Sequence, residues 1–159
     1  MKIKHIAVAA ALMAAGSVNA AELLASVEQV KGGTTAVGLD LVSDGTVAGF
    51  SFAIEMPSID AKAVRSSGCV SQLPKGFTAQ CAFNAGKLFV IATADAPGTF
   101  VPAGVTAVGS VVVTSPLAKG SAIRISGFET SNDNGVSTAG TAKVDGVDMG
   151  DTAADSAAK

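Results

Sequence analysis

The chain is predicted to be all-β, an antiparallel sandwich of two sheets with about seven to nine short strands. Three observations predict it. The stretch 47–56, VAGFSFAIEM, puts Phe50, Phe52, Ile54 and Met56 on one side of an extended chain and Gly49, Ser51, Ala53 and Glu55 on the other. That period of two marks a strand with one face in a core. Turn chemistry recurs at short intervals, at Lys31-Gly32-Gly33, Ser43-Asp44-Gly45 and Asn84-Ala85-Gly86, where Gly and Asx residues accept the backbone angles of a tight reversal. No stretch sustains the 3.6-residue period of a long amphipathic helix.

In 22–30, ELLASVEQV, residues Leu23, Leu24, Val27 and Val30 have helical spacing, yet the segment is short for a helix and is read as a first strand. In 35–42, Val37, Leu39 and Leu41 alternate with Gly38 and Asp40, and the turn at 43–45 leads directly into 47–56, so the two are expected to form a hairpin. Pro57 ends the central strand because it has no N–H to give to a ladder. The following SIDAKAVRSSG, 58–68, has no clean period and reads as a connection with at most one helical turn.

Phe77, Ala79, Cys81 and Phe83 then alternate with Thr78, Gln80 and Ala82, and the chain returns along KLFVIAT, 87–93. This return strand is apolar on both faces and is expected in the middle of a sheet. A Pro- and Gly-bearing loop at 95–104 precedes a β-rich run at 105–114 and a turn at 115–120. Segment 121–128 turns Ile123 and Ile125 inward and Arg124 and Ser126 outward, 130–140 is polar, and 141–144 reads as a short closing strand. The domain is therefore placed at 21–145. The tail, 146–159, has too little apolar bulk to offset its ordering entropy and is expected to be disordered.

The N-terminal residues read as an address. Lys2, Lys4 and His5 precede an unbroken apolar run at 6–15, and Val18-Asn19-Ala20 offers small residues at a cleavage site. Residues 1–20 are expected to be a signal peptide that sends the chain to the periplasm or the extracellular space. The apolar run is about half of the roughly 20 residues needed to span a bilayer, and no later run approaches that length. Ala21, not a cysteine, follows the cleavage point, so no lipid anchor is expected.

Composition excludes whole classes of chemistry. With a net charge of −2 and no clustering of its Lys and Arg, the chain is a poor match for nucleic acid or an anionic membrane. The one His lies in the leader, and Trp and Tyr are absent. Ser-His-Asp catalysis, Cys-His catalysis and His-based zinc sites therefore have no histidine to use. Glu55 is the one strand carboxylate placed where a glycosidase pair could use it, but an outward Glu on a half-exposed strand is ordinarily just solvated. No catalytic, cofactor-binding or metal-binding residue is assigned, no cofactor is expected, and the chain is read as not an enzyme.

The hairpin leading into AGFSFAIEMPSI, 48–59, resembles the cohesin-type jelly roll and related bacterial carbohydrate-binding modules. Those domains often carry a small-Gly-aromatic strand followed by Tyr-Asp-Pro-x-Val-Leu. Ala48-Gly49-Phe50 and Phe52 fit the strand, and Pro57, Ser58 and Ile59 fit its end. Glu55 and Met56 stand at the Tyr-Asp pair, and Asp60 stands where Leu is expected. AVGSVVVT, 107–114, is similar to the strand before the last hairpin, and the likeness runs over about residues 22–145. It implies a binding module that recognises a protein or polysaccharide partner outside the cytoplasm. One sheet face would then present Ser51, Arg124 and Ser126, or an edge strand would accept a strand from the partner. The alternative is a structural surface or matrix component that self-associates, which suits the richness in Ala, Gly and Val.

Three smaller features complete the reading. Cys69 and Cys81, the only cysteines, are expected to form a disulfide in an exported protein. Closing so short a loop is worth roughly 2–4 kcal/mol, and without CxxC spacing a redox role is not expected. Sugar platforms need exposed rings. Of the seven Phe, Phe50, Phe52, Phe77 and Phe83 are assigned inward and Phe89 to the two-sided strand, leaving Phe100 and Phe128 as the candidates for exposure. Flat cellulose-type binding is thus not expected, while a polar groove for a soluble glycan stays open. Asn132-Asp133-Asn134-Gly135 faintly resembles a calcium loop but lacks its alternating oxygens and closing Glu, so it is read as an Asx-rich turn.

Overall fold

The computed structural model describes residues 21–30, 34–56, 64–65, 70, 72–114, 123–144 and 147–148. The strands are β1 (Glu22–Val30), β2 (Thr34–Ser43), β3 (Gly49–Glu55), β4 (Val64–Arg65), β5 (Phe77–Asn84), β6 (Lys87–Ala94), β7 (Gly104–Val113), β8 (Arg124–Ser131), β9 (Ser137–Ala139), β10 (Thr141–Val144) and β11 (Val147–Asp148). No helix occurs among the described residues. The strands form two sheets, in the orders β11-β10-β1-β2-β7-β4 and β5-β6-β3-β8-β9. The sandwich expected from the alternation is the one observed.

Alternation builds the core between them. From the first sheet Leu23, Val37, Leu39, Leu41, Val108, Val111 and Val113 point inward, and from the second Phe50, Phe52, Ile54, Leu88, Val90 and Ile125. Phe50 and Phe52, two residues apart on β3, stack with ring centroids 6.3 Å apart and planes within 7°. Burial of this apolar surface, at about 25 cal/mol per Å², drives the association of the two sheets.

Several expectations are refined, and one is overturned. Strands β2 and β3 form no hairpin, because the turn at 43–45 carries the chain across the sandwich, β2 pairing with β1 and β7 in one sheet and β3 with β6 and β8 in the other. The helical spacing in 22–30 loses to pairing: β1 lies between β2, antiparallel, and β10, parallel with Glu22 opposite Thr141. Two neighbours bond its backbone, more than local propensity can offset. That β1–β10 pair is a parallel exception in an otherwise antiparallel register. In 58–68 the described residues Val64 and Arg65 are extended, pairing with Val113 and Val112 of β7, where a helical turn had been allowed. At the other end, Val147 and Asp148 pair with Val144 and Lys143, so the sheet continues past residue 145, into the segment expected to be disordered. The expected signal peptide, 1–20, and the tail beyond 148 lie outside the described residues.

Two irregularities set which side chains face where. The β2–β7 register shifts between Leu39 and Asp40, and the β3–β8 register shifts between Ser51 and Ala53. Ile125 and Phe128 are three residues apart, so strict alternation would send them to opposite faces. The β8 bulge, with Gly127 at φ 61°, inserts one extra residue and turns both inward. Phe128 is accordingly in the core, 5% exposed, which corrects its placement among the candidates for exposure.

Candidate binding face

Strand β6 lies between β5 and β3, and its neighbours define the face. Leu88, Val90 and Ala92 are fully buried, while Phe89 and Ile91 on the opposite side are 44% and 56% exposed. Cross-strand register places Ala82, Phe89, Ala53 and Ser126 in one row over β5, β6, β3 and β8, and Gln80, Ile91, Ser51 and Glu129 in another. The small Ala82 and Ala53 flank Phe89 in its row. The outer face of this sheet thus has an apolar centre.

Its rim is polar. One end carries the row Asn84, Lys87, Glu55 and Arg124, the other Thr78, Thr93, Gly49 and Ser131. Lys87 Nζ donates to Glu55 Oε1 at 2.7 Å, and Ser126 Oγ donates to the same oxygen at 3.0 Å. The hydrogen bond from Lys87, then that from Ser126, holds the Glu55 carboxyl below its ordinary range. At the far end Thr78 Oγ1 donates to Asp95 Oδ1 at 2.6 Å. Among the described residues no three His, Cys, Asp or Glu side chains converge to hold a metal ion. Apolar contact with a charged and hydroxylated rim is what this face can offer a ligand.

The sequence-predicted residues Ser51, Arg124 and Ser126 do come together here. Phe89 and Ile91 escape the sequence reading because a strand apolar on both sides is taken as covered on both. In a two-layer sandwich each sheet has only one covered side, so one of the two apolar sides of KLFVIAT has to meet solvent. That rule, applied to the sequence, would find the face.

The other candidates fall elsewhere. Phe100 is 38% exposed and lies in the loop before β7, off this face. Asn132 Oδ1 accepts from the N–H groups of Asn134 and Val136, each at 3.0 Å, and Asp133 accepts from the N–H of Gly98 at 3.2 Å. These oxygens are engaged in an Asx turn and a loop clasp. Cys81 lies half-buried on β5 and is not free, and Cys69 lies outside the described residues. Among the described residues strand β5 is also a long edge, with β6 as its one partner.

No protein-family model and no curated protein matches the chain. Solved structures do. A type I cohesin–dockerin complex from Clostridium thermocellum aligns with a TM-score of 0.54 at 13% identity, over 83% of this chain and 96% of that one. A non-cellulosomal cohesin from the archaeon Archaeoglobus fulgidus gives 0.54 at 12% identity, over 79% and 88%. A type II cohesin from Bacteroides cellulosolvens gives 0.52 at 12%, over 74% and 91%. The fold of this chain is cohesin-like.

Proposed function

We propose that this chain is an exported, non-catalytic module that binds a protein partner through the outer face of the β5-β6-β3-β8-β9 sheet. One observation carries the reading: Phe89 and Ile91 stand exposed side by side at the middle of a sheet, inside a polar rim. An apolar centre within such a rim is the anatomy of a recognition surface, and large exposed apolar groups seldom cluster without a use. The likeness in fold to the cohesin of a cohesin–dockerin complex supports a protein as the partner class. A lone Phe89 ring, without a second aromatic beside it, favours protein over polysaccharide.

Capture tests this. Immobilised protein of residues 21–159 should retain a saturable partner from the extracytoplasmic fraction of its host, and the Phe89→Ser/Ile91→Ser variant should retain it at least about tenfold less well. Undiminished capture by that variant, or retention on a polysaccharide panel alone, would overturn it. Concentration-dependent polymers in size-exclusion chromatography would favour the matrix role. Export predicts a secreted chain that begins at Ala21, and a Cys69–Cys81 bridge predicts that it takes up no thiol label.

A further inference from the structure

We infer that a depression beside Ile91 on this face receives a cationic side chain of the protein partner, with Glu129 as its counter-charge. The inference rests on the face proposed above and adds the chemistry of one contact. The depression has a volume of about 110 Å³, and its lining includes Ser51, Ile91, Thr93, Glu129, Ser131 and Ser137. At roughly 30 Å³ per water, it has room for about three or four water-sized groups, the scale of a guanidinium or a solvated ammonium.

A glycine adjoins it. Gly49 sits in the row between Thr93 and Ser131, on the outward side of β3. A Cβ there would fall 2.7 Å from Ser131 Oγ and 3.2 Å from the Ala92 carbonyl oxygen, so any side chain would crowd the lining. The walls divide by chemistry. Ile91, more than half exposed, offers an apolar surface for the methylene stem of Lys or Arg, as such stems prefer. The hydroxyls of Ser51, Thr93, Ser131 and Ser137 can accept N–H donors, of which a guanidinium has five.

Charge selects the occupant. Glu129 is exposed and enters no ion pair among the described residues. Glu55, toward the other end of this face, is already paired with Lys87 and has Arg124 across from it, and Asp95 on the rim accepts from Thr78. The two ends of β8 therefore differ in sign, Arg124 at one and Glu129 at the other. A partner cation at the Glu129 end gains a charge-assisted hydrogen bond beside apolar surface that excludes water. An anion there would meet repulsion from the Glu129 carboxylate.

The test uses small probes on isotope-labelled protein of residues 21–159, followed by backbone amide shifts. N-acetyl-arginine methylamide and N-acetyl-lysine methylamide should produce saturable shifts at Ser51, Ile91, Thr93, Glu129 and Ser131, their ratio telling guanidinium from ammonium. The neutral citrulline analogue should not. Glu129→Gln, with an otherwise unchanged spectrum, should weaken the cation at least about tenfold, the loss expected for a hydrogen bond to a charged group. Equal shifts from citrulline, an unaffected Glu129→Gln variant, or shifts confined to other surfaces would overturn the inference. If the probes fail while Phe89→Ser/Ile91→Ser still abolishes capture of the partner, only the subsite falls. If capture ignores those two residues while the cations bind, the face as partner surface falls instead.

Discussion

Gly140 and Phe128 meet through the space that a side chain would fill. A Cβ at Gly140 would overlap the edge of the Phe128 ring and lie 2.6 Å from the carbonyl oxygen of Ala21. The same two residues are tied by the Gly140 N–H, which donates to the Phe128 carbonyl at 3.0 Å, while the next N–H, of Thr141, donates to Ala21 at 3.1 Å. At this one residue the chain leaves β9 in the second sheet and enters β10 in the first. Gly140→Ala is expected to destabilise the fold by about 2–4 kcal/mol, because neither a core ring nor a strand carbonyl yields cheaply. Urea unfolding measures it. Phe128→Leu should recover part of that loss in the double variant, as two groups in contact do not add independently. A Gly140→Ala variant as stable as the parent would mean the corner is not packed this way.

Neighbours on β6 should respond oppositely to truncation. Leu88 is fully buried and Phe89 is 44% exposed. Leu88→Ala should cost about 2–5 kcal/mol through the cavity it leaves, whereas Phe89→Ser should change stability by about 0.5 kcal/mol or less. Thermal or urea unfolding of the two variants decides it. A large loss for Phe89→Ser would place that ring in the core and remove it from the proposed binding face.

This contrast also shows how far the sequence can be read. The period of two locates β3 and its buried Phe50, Phe52 and Ile54, because each faces one cohesive layer and alternation is all that is needed to find it. The same rule turns Ser51, Arg124 and Ser126 outward on their own strands, but that they share one face is implied by the resemblance and follows from the β3–β8 pairing. Phe128 is misplaced by alternation because its inward direction depends on a bulge at Gly127, and a phase shift in one strand is invisible until its partner is known. Phe89 and Ile91 are passed over because hydrophobicity tells that a surface is apolar, not what covers it. The parallel β1–β10 pairing joins segments over a hundred residues apart, and no local pattern encodes a partner at that distance.

The β5–β6 hairpin turns through Asn84, Ala85, Gly86 and Lys87, with Ala85 at φ 48° and Gly86 at φ 78°. Positive φ at both central residues matches the twist of the strands, but the first position suits Asn far better than Ala. The turn is anchored from β3 by the Met56 N–H, which donates to the Gly86 carbonyl at 2.7 Å, so Ala85 cannot relax out of this conformation without losing that bond. Ala85→Asn is expected to stabilise the protein by about 0.5–1 kcal/mol. A higher urea midpoint with an unchanged slope would bear this out, and a lower midpoint would refute it.

Glu55 should make stability depend on pH in one direction. Its folded pKa is depressed by the hydrogen bonds from Lys87 and Ser126, so its contribution is present above the unfolded carboxyl pKa and is lost as pH falls through the folded one. Glu55 is 28% exposed and Lys87 45%; solvent screening of such a pair limits the effect to about 0.2–1 kcal/mol. Glu55→Gln should therefore lower stability by that amount near neutral pH, and by progressively less as acid carries the wild-type carboxyl through its depressed pKa. Raised salt should shrink the neutral-pH difference as well, since both groups are partly solvated. A deficit that grows on acidification would reverse the sign and show that Glu55 is stabilised in its protonated form, which neither the Lys87 ammonium nor a donating Ser126 hydroxyl can do.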